Sequence, residues 1–193
     1  MRNLYATLLF AAAAAPSMAM ADSGLSYSYL DPAYITTNVD NFDKDVDGFA
    51  LRGSLAVTDQ VFGFAGYSDQ STDVGGSSLH FTTLNIGAGY RWPISTTADV
   101  YGKLGYVDEE ARYRGNSADD SGILLGAGMR GRFEQFELEG SVNYVDLSDS
   151  GNDTSLGLGA RWFFTQTLAA GVEAQVGGDA TTYGLGMRWN WGN

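Results

Sequence analysis

Tyr183-Gly-Leu-Gly-Met-Arg-Trp-Asn190 is the stretch whose reading decides the fold. In an extended chain successive side chains point to opposite faces. Tyr183, Leu185, Met187, Trp189 and Trp191 then share one face, and Thr182, Gly184, Gly186, Arg188 and Asn190 share the other. One face is greasy and aromatic. The other holds glycine, an arginine and small polar groups.

The pattern recurs. Asn85-Ile-Gly-Ala-Gly-Tyr-Arg-Trp92, Leu125-Gly-Ala-Gly-Met-Arg-Gly-Arg132 and Leu156-Gly-Leu-Gly-Ala-Arg-Trp-Phe163 carry the same Gly-x-Gly-x-Arg core, and Phe49-Ala-Leu-Arg-Gly-Ser-Leu55 is a looser version. The four arginines follow one another at 39, 31 and 27 residues, about two strands plus their connections. The repeat is a hairpin repeat rather than a solenoid of fixed period. In a soluble sandwich the apolar face would form the core and the glycines and arginines would meet water. Two features favour the reverse. Glycine weakens a solvated strand but suits a narrow, crowded lumen. Trp and Phe also gather beside the short turns, at Trp92, Phe133, Trp162, Phe164, Trp189 and Trp191, as in the aromatic girdle of a membrane barrel.

The fold expected is therefore all-β, a closed antiparallel up-and-down transmembrane β-barrel. Ten strands are predicted, over about 25–37, 47–58, 61–70, 79–92, 97–109, 121–134, 136–146, 154–164, 167–177 and 180–191. Eight is the alternative. Short connections at 58–60, 93–96, 135 and 165–166 alternate with longer polar ones at 38–46, 71–78, 110–120 and 147–153, and 178–179 is a shorter member of the second set. Short periplasmic turns and longer external loops read this way. Asp31-Pro32 predicts a bulge in strand one. Strand three is ambiguous, with either Phe62 and Phe64 or Val61, Ala65 and Tyr67 toward lipid.

Residues 1–21 read as a signal peptide, and 22–193 as the barrel. Arg2 is the basic start, Leu4 to Ala15 is apolar apart from Thr7, and Ala19-Met-Ala21 is a small-x-small cleavage site. The apolar run falls short of the ~20 residues a membrane span needs. The chain has no Cys, so export brings no disulfide stabilisation. Its formal charge of −12 argues against a nucleic-acid partner. Together these place it in the outer membrane of a Gram-negative bacterium, as a monomer, with membrane lipid and lipopolysaccharide as partners.

Parity also sorts the charges. Arg52, Arg91, Lys103, Arg130, Arg132, Arg161 and Arg188 fall on the inner face with Asp99, Glu137, Glu139 and Glu173. On the lipid face each Arg or Lys would cost ~2–4 kcal/mol at mid-bilayer. Inside, guanidinium forks can bridge carboxylates. An ionic network that leaves little free bore is expected. Asp40, Asp43, Asp45, Asp47, Asp69, Asp73, Asp108, Glu109, Glu110, Asp119, Asp120, Asp146, Asp149, Asp153 and Asp179 lie in the external loops or beside them.

Few motifs point to chemistry. Asp43-Lys-Asp-Val-Asp-Gly48 opens like a calcium loop, but its twelfth position is Ser54 rather than Glu. Asp43, Asp45 and Asp47 are at most a weak cation site. His80 is the only histidine. A hydrolase would need it beside Ser or a carboxylate, and Ser77, Ser78 and Thr82 are hydroxyls nearby in sequence. An unpaired rim histidine is the simpler reading. The Gly-x-Gly repeats run on into strand, not into a helix, so they are not nucleotide fingerprints. No cofactor is implied.

Leu25-Ser-Tyr-Ser-Tyr-Leu30, Ala33-Tyr-Ile-Thr-Thr-Asn38, Asp45-Val-Asp-Gly-Phe-Ala-Leu-Arg-Gly-Ser54 and Phe62-Gly-Phe-Ala-Gly-Tyr-Ser-Asp-Gln70 resemble a known group. They are similar to the Ax-type small exported outer-membrane proteins of xanthomonads and related bacteria. The likeness is densest over residues 25–70, and Phe64-Ala-Gly-Tyr67 departs from that group's third motif. It implies an outer-membrane barrel, also shed in vesicles, with links to motility, biofilm and host sensing. It supplies no catalytic residues. The function expected is a non-enzymatic barrel with an occluded charged lumen and acidic surface loops, serving envelope integrity, adhesion or host sensing. A small-solute pore with an anion preference is the alternative, and a His80-dependent hydrolase is a third reading.

Overall fold

Alternation of apolar and small or polar residues along every segment produces strands with two unlike faces. The computed structural model describes residues 24–40 and 44–191. Ten strands run in chain order: β1 Tyr29–Val39, β2 Val46–Ala56, β3 Val61–Val74, β4 Ser77–Pro93, β5 Ala98–Tyr113, β6 Asn116–Phe133, β7 Phe136–Leu147, β8 Gly151–Phe163, β9 Leu168–Gly177 and β10 Ala180–Asn190. Each pairs antiparallel with its neighbours in sequence, and β1 pairs with β10, so the sheet closes into a ten-stranded barrel. Closure leaves no unpaired edge, which hydrocarbon could not hydrate. The expected signal peptide, residues 1–21, lies outside the described residues.

The facing is inverted relative to a soluble core. Leu125, Leu156, Leu158, Leu185, Met187 and Val172 are exposed on the outer wall. Arg130, Glu137 and Asp99 are among the most completely buried side chains of the described residues. Strand three resolves the same way. Phe62 is buried inside, and Tyr67 is exposed outside.

Three readings of the sequence need correction. First, 71–78 and 110–120 are not loops. β3–β4 and β5–β6 continue as paired strand to the two-residue turns Gly75-Gly76 and Arg114-Gly115. All four turn residues have positive φ, the geometry that matches the twist of a hairpin. Polar residues hold strand there because the ladder stands in water and needs no apolar face. Second, Asp31-Pro32 makes no bulge. Register is unbroken from Leu30↔Trp189 to Ala33↔Gly186, with two ladder positions unpaired where proline lacks its N–H. Third, residues 25–28 are not strand. Leu25, Ser26, Tyr27 and Ser28 are all buried, and β1 begins only at Tyr29.

The inner glycines have a steric purpose. Gly89 pairs with Phe62, Gly87 with Phe64, Gly126 with Lys103, Gly171 with Arg161 and Gly184 with Glu173. In each pair the large side chain lies over its glycine, and a Cβ there would overlap it. The Gly-x-Gly face is thus the floor on which neighbouring strands lay their lumen side chains. Gly48 and Gly122 are required for another reason, since a Cβ at either would strike the carbonyl of Asp69 or Asp146 on the adjoining strand.

Candidate functional site

Lumen charges are set by strand parity and brought together by closure. At the end where β1 begins and β10 ends, seven strands aim charges into the bore. Arg188 Nη2 and Nε donate to Asp31 Oδ2 at 2.8 and 3.0 Å, and its Nη1 donates to Glu137 Oε1 at 2.9 Å. Arg130 Nη2 donates to the same Glu137 oxygen at 2.9 Å. Arg161 spans Glu139 Oε2 at 3.0 Å and Asp31 Oδ2 at 3.2 Å. Tyr101 donates its hydroxyl to Glu139 Oε1 at 2.7 Å. Arg91 pairs with Asp99 at 3.2 Å. Farther up, Arg52 and Glu173 form a two-pronged pair across the bore at 2.6 Å for each prong.

The inturned N-terminal residues complete this layer. Tyr27 stacks against Phe62 with centroids 4.7 Å apart. The guanidinium carbons of Arg91 and Arg130 sit 5.1 and 4.7 Å from the Tyr27 ring centroid. Arg130 donates to the Ser26 carbonyl and Arg91 to that of Leu25. The backbone N–H of Ala56 donates to Ser28 Oγ. Residues 24–28 therefore cross the bore as a plug held by the same arginines that pair with the lumen acids.

Nine of the eleven expected lumen charges take part: Arg52, Arg91, Asp99, Arg130, Glu137, Glu139, Arg161, Glu173 and Arg188. Two do not. Arg132 lies at the rim, its guanidinium carbon 3.9 Å from the Phe163 centroid, with Nε toward the Glu134 carbonyl. Glu137, its ladder partner, is already taken by Arg130 and Arg188. Lys103 has no carboxylate within ion-pair distance among the described residues and lies over Phe64 at 5.5 Å. Asp31 was missed. Its parity, between outward Leu30 and Pro32, was the available signal, and the proline drew attention to the backbone instead.

Little free bore was expected, yet the blockage is confined to one half. Above it lies a cavity of about 500 Å³, whose lining runs from Tyr27, Phe62 and Arg130 up to Gln70 and Glu109. On the outer wall Trp92, Phe133, Trp162, Phe164 and Trp189 are exposed beside the turns at the terminal end, and Trp191 stacks on Trp189 at 5.3 Å. Tyr34, Tyr67, Tyr106 and Tyr183 form a second exposed aromatic set farther along the strands.

The other candidates are less built. His80 is exposed on the outer wall with Ser71 and Arg112 opposite it. Among the described residues no Ser or carboxylate hydrogen-bonds to it; Ser78 donates instead to Asp73. Asp43 lies outside the described residues. Asp45 accepts from Asn38, and no group of three metal-type ligands occurs among the described residues.

Residues 6–185 match the family described as outer membrane protein beta-barrel domain. The chain belongs to that family. Membership places the barrel in the Gram-negative outer membrane. Its two ends can then be named, with the start of β1, the end of β10 and the short turns periplasmic and the long hairpins external. The NanC porin is similar in structure at a TM-score of 0.54 and 9% identity, over 84% of this chain and 100% of that one. The translocator domain of the autotransporter NalP from Neisseria meningitidis is similar at 0.50 and 8%, over 86% and 89%. Ail, the attachment invasion locus protein of Yersinia pestis, aligns at 0.47 and 16%, over 84% and 95%. At such identities the likeness is one of fold. No curated protein matches the chain.

Proposed function

We propose that the barrel is a sealed, non-enzymatic outer-membrane protein that acts through its external hairpins. The layer of Arg91, Arg130, Arg161 and Arg188 with their carboxylates, closed over by Tyr27, carries this reading. Buried charges so matched hold their places, because breaking one pair strands its partner in a poorly hydrated site. A solute crossing the bore would have to break several at once.

The external hairpins support a surface role. β4 and β6 hold 17 and 18 residues. At a tilt of ~40° such strands rise roughly 40 Å, well beyond an apolar band of ~25 Å. The projecting wall is acidic: Glu109 stands opposite Asp120, and Glu110, already paired with Arg112, stands opposite Asp119. Like charges placed directly across a ladder repel, so a counter-cation is favoured beside Glu109 and Asp120. The partners proposed are lipopolysaccharide, bridged by divalent cations, and surfaces reached by adhesion. Residues 1–21 are proposed as the export signal and the folded protein as a monomer. The finer assignment to the Ax-type group is proposed on the motifs of residues 25–70, where Tyr27 of the Ser-Tyr-Ser-Tyr run is the core of the plug.

The pore reading shares its fold with the NanC porin, but fold alone does not carry function. Planar-bilayer recording of the refolded protein separates the two. The sealed reading expects no steady unitary current, and a reproducible anion-selective step would replace it with the pore. The surface reading has its own check. Converting Glu109, Glu110, Asp119 and Asp120 to amides is expected to weaken magnesium-dependent binding to lipopolysaccharide, and unchanged binding would remove it.

A further inference from the structure

Sealing does not account for the cavity above the plug. Among the basic side chains lining it, Arg52, Arg130, Arg161 and Arg188 each meet a carboxylate. Lys103 forms no ion pair among the described residues; its ammonium lies over the Phe64 ring at 5.5 Å, and Glu139 acts on it only from beyond ion-pair distance. It is also held in place. Gly126, its ladder partner, leaves room for the lysine stem, and a Cβ there would overlap Lys103 Cε and come within 2.8 Å of Asn143 Oδ1. That Asn143 oxygen is buried and accepts no hydrogen bond. A buried cation outside any ion pair and a buried polar atom without a partner are both costly, and here they lie beside one glycine in a cavity of about 500 Å³. Small-molecule sites commonly enclose ~300–1,000 Å³ and fix their ligands with few polar groups.

We propose that this vestibule is a binding site for a small organic monoanion. Its carboxylate pairs with Lys103 Nζ, and its hydroxylated body lies along Asn85, Ser141 and Asn143 with an apolar edge on Phe64. The ligand carries a single charge because one cation stands outside the ion pairs and Glu109, Glu139 and Glu173 also line the cavity. It enters and leaves from outside, since the Tyr27 layer forms the floor. The site captures without conducting, so its evidence is independent of the hairpin reading and it survives if that reading fails.

Calorimetric titration of the folded full chain in detergent tests this with gluconate, with neutral sorbitol as the matched body and inorganic phosphate as the charge alone. Gluconate is expected to bind at least roughly tenfold more tightly than sorbitol or phosphate, a gap of ~1.4 kcal/mol. Lys103→Met is expected to abolish that preference and Lys103→Arg to keep part of it, each variant first shown to be folded by its unboiled gel mobility. Asn143→Leu, which keeps the charge, is expected to weaken gluconate but not to equalise it with sorbitol. No binding of gluconate, equal binding of sorbitol or phosphate, or full binding by folded Lys103→Met would overturn the proposal.

Discussion

At the residue scale, Glu137 shows how the lumen is stabilised. It is fully buried, and one of its oxygens accepts from both Arg130 and Arg188. Removing one cation leaves the carboxylate with less than it needs in a poorly hydrated interior. Arg188→Met would leave Asp31 and Glu137 each short of a partner, and is expected to destabilise the barrel by about 3–5 kcal/mol. Urea unfolding in detergent, followed by tryptophan fluorescence, measures this. A loss below about 1 kcal/mol would show that the network contributes little. Most of the residues inside were legible in the sequence because period two ties each side chain to one of two faces; strand three left the choice open, and Asp31 was overlooked beside its proline. Which inner residues would pair was not legible. Arg132 and Lys103 carry the right parity, but one stands at the rim over Phe163 and the other lies over Phe64, neither forming an ion pair among the described residues. Parity gives the facing and not the height along the bore.

At the element scale, strand and loop were hardest to tell apart where the chain leaves the membrane. The Asp, Ser and Gly of 71–78 and 110–120 have loop composition, yet the ladder continues through them. Gly75-Gly76 and Arg114-Gly115 were the hairpin signals, and polar composition masked them. The opposite error befell residues 25–28. Their alternation is that of a strand, but Leu25 and Tyr27 pack with Phe62 and Tyr101 inside the bore. Local pattern cannot tell a strand in the wall from an extended segment within it. The plug also makes a prediction. Deleting residues 24–28 removes the Tyr27 stacking and the carbonyl partners of Arg91 and Arg130. The temperature at which the folded gel band converts to the unfolded one is expected to fall by several degrees while the barrel still forms. An unchanged temperature would mean that these residues lie in the bore without supporting it.

For the whole molecule, the physical reason for the fold is the exchange of inside and outside. The outer wall carries leucine, valine and tryptophan because hydrocarbon solvates them, and the enclosed space carries guanidinium, carboxylate and glycine because closure shields them from lipid. The absence of native cysteine makes this exchange open to direct measurement. Ser155 and Leu156 on β8, and Ser141 and Val142 on β7, are neighbours that face opposite ways, with Ser155 buried and Leu156 and Val142 exposed. Single cysteines at these four positions, tagged with an environment-sensitive fluorophore in bilayers of brominated lipid, report contact with hydrocarbon. Strong quenching at 142 and 156 with little at 141 and 155 is the result expected. Equal quenching at all four, or the reverse order, would contradict the account.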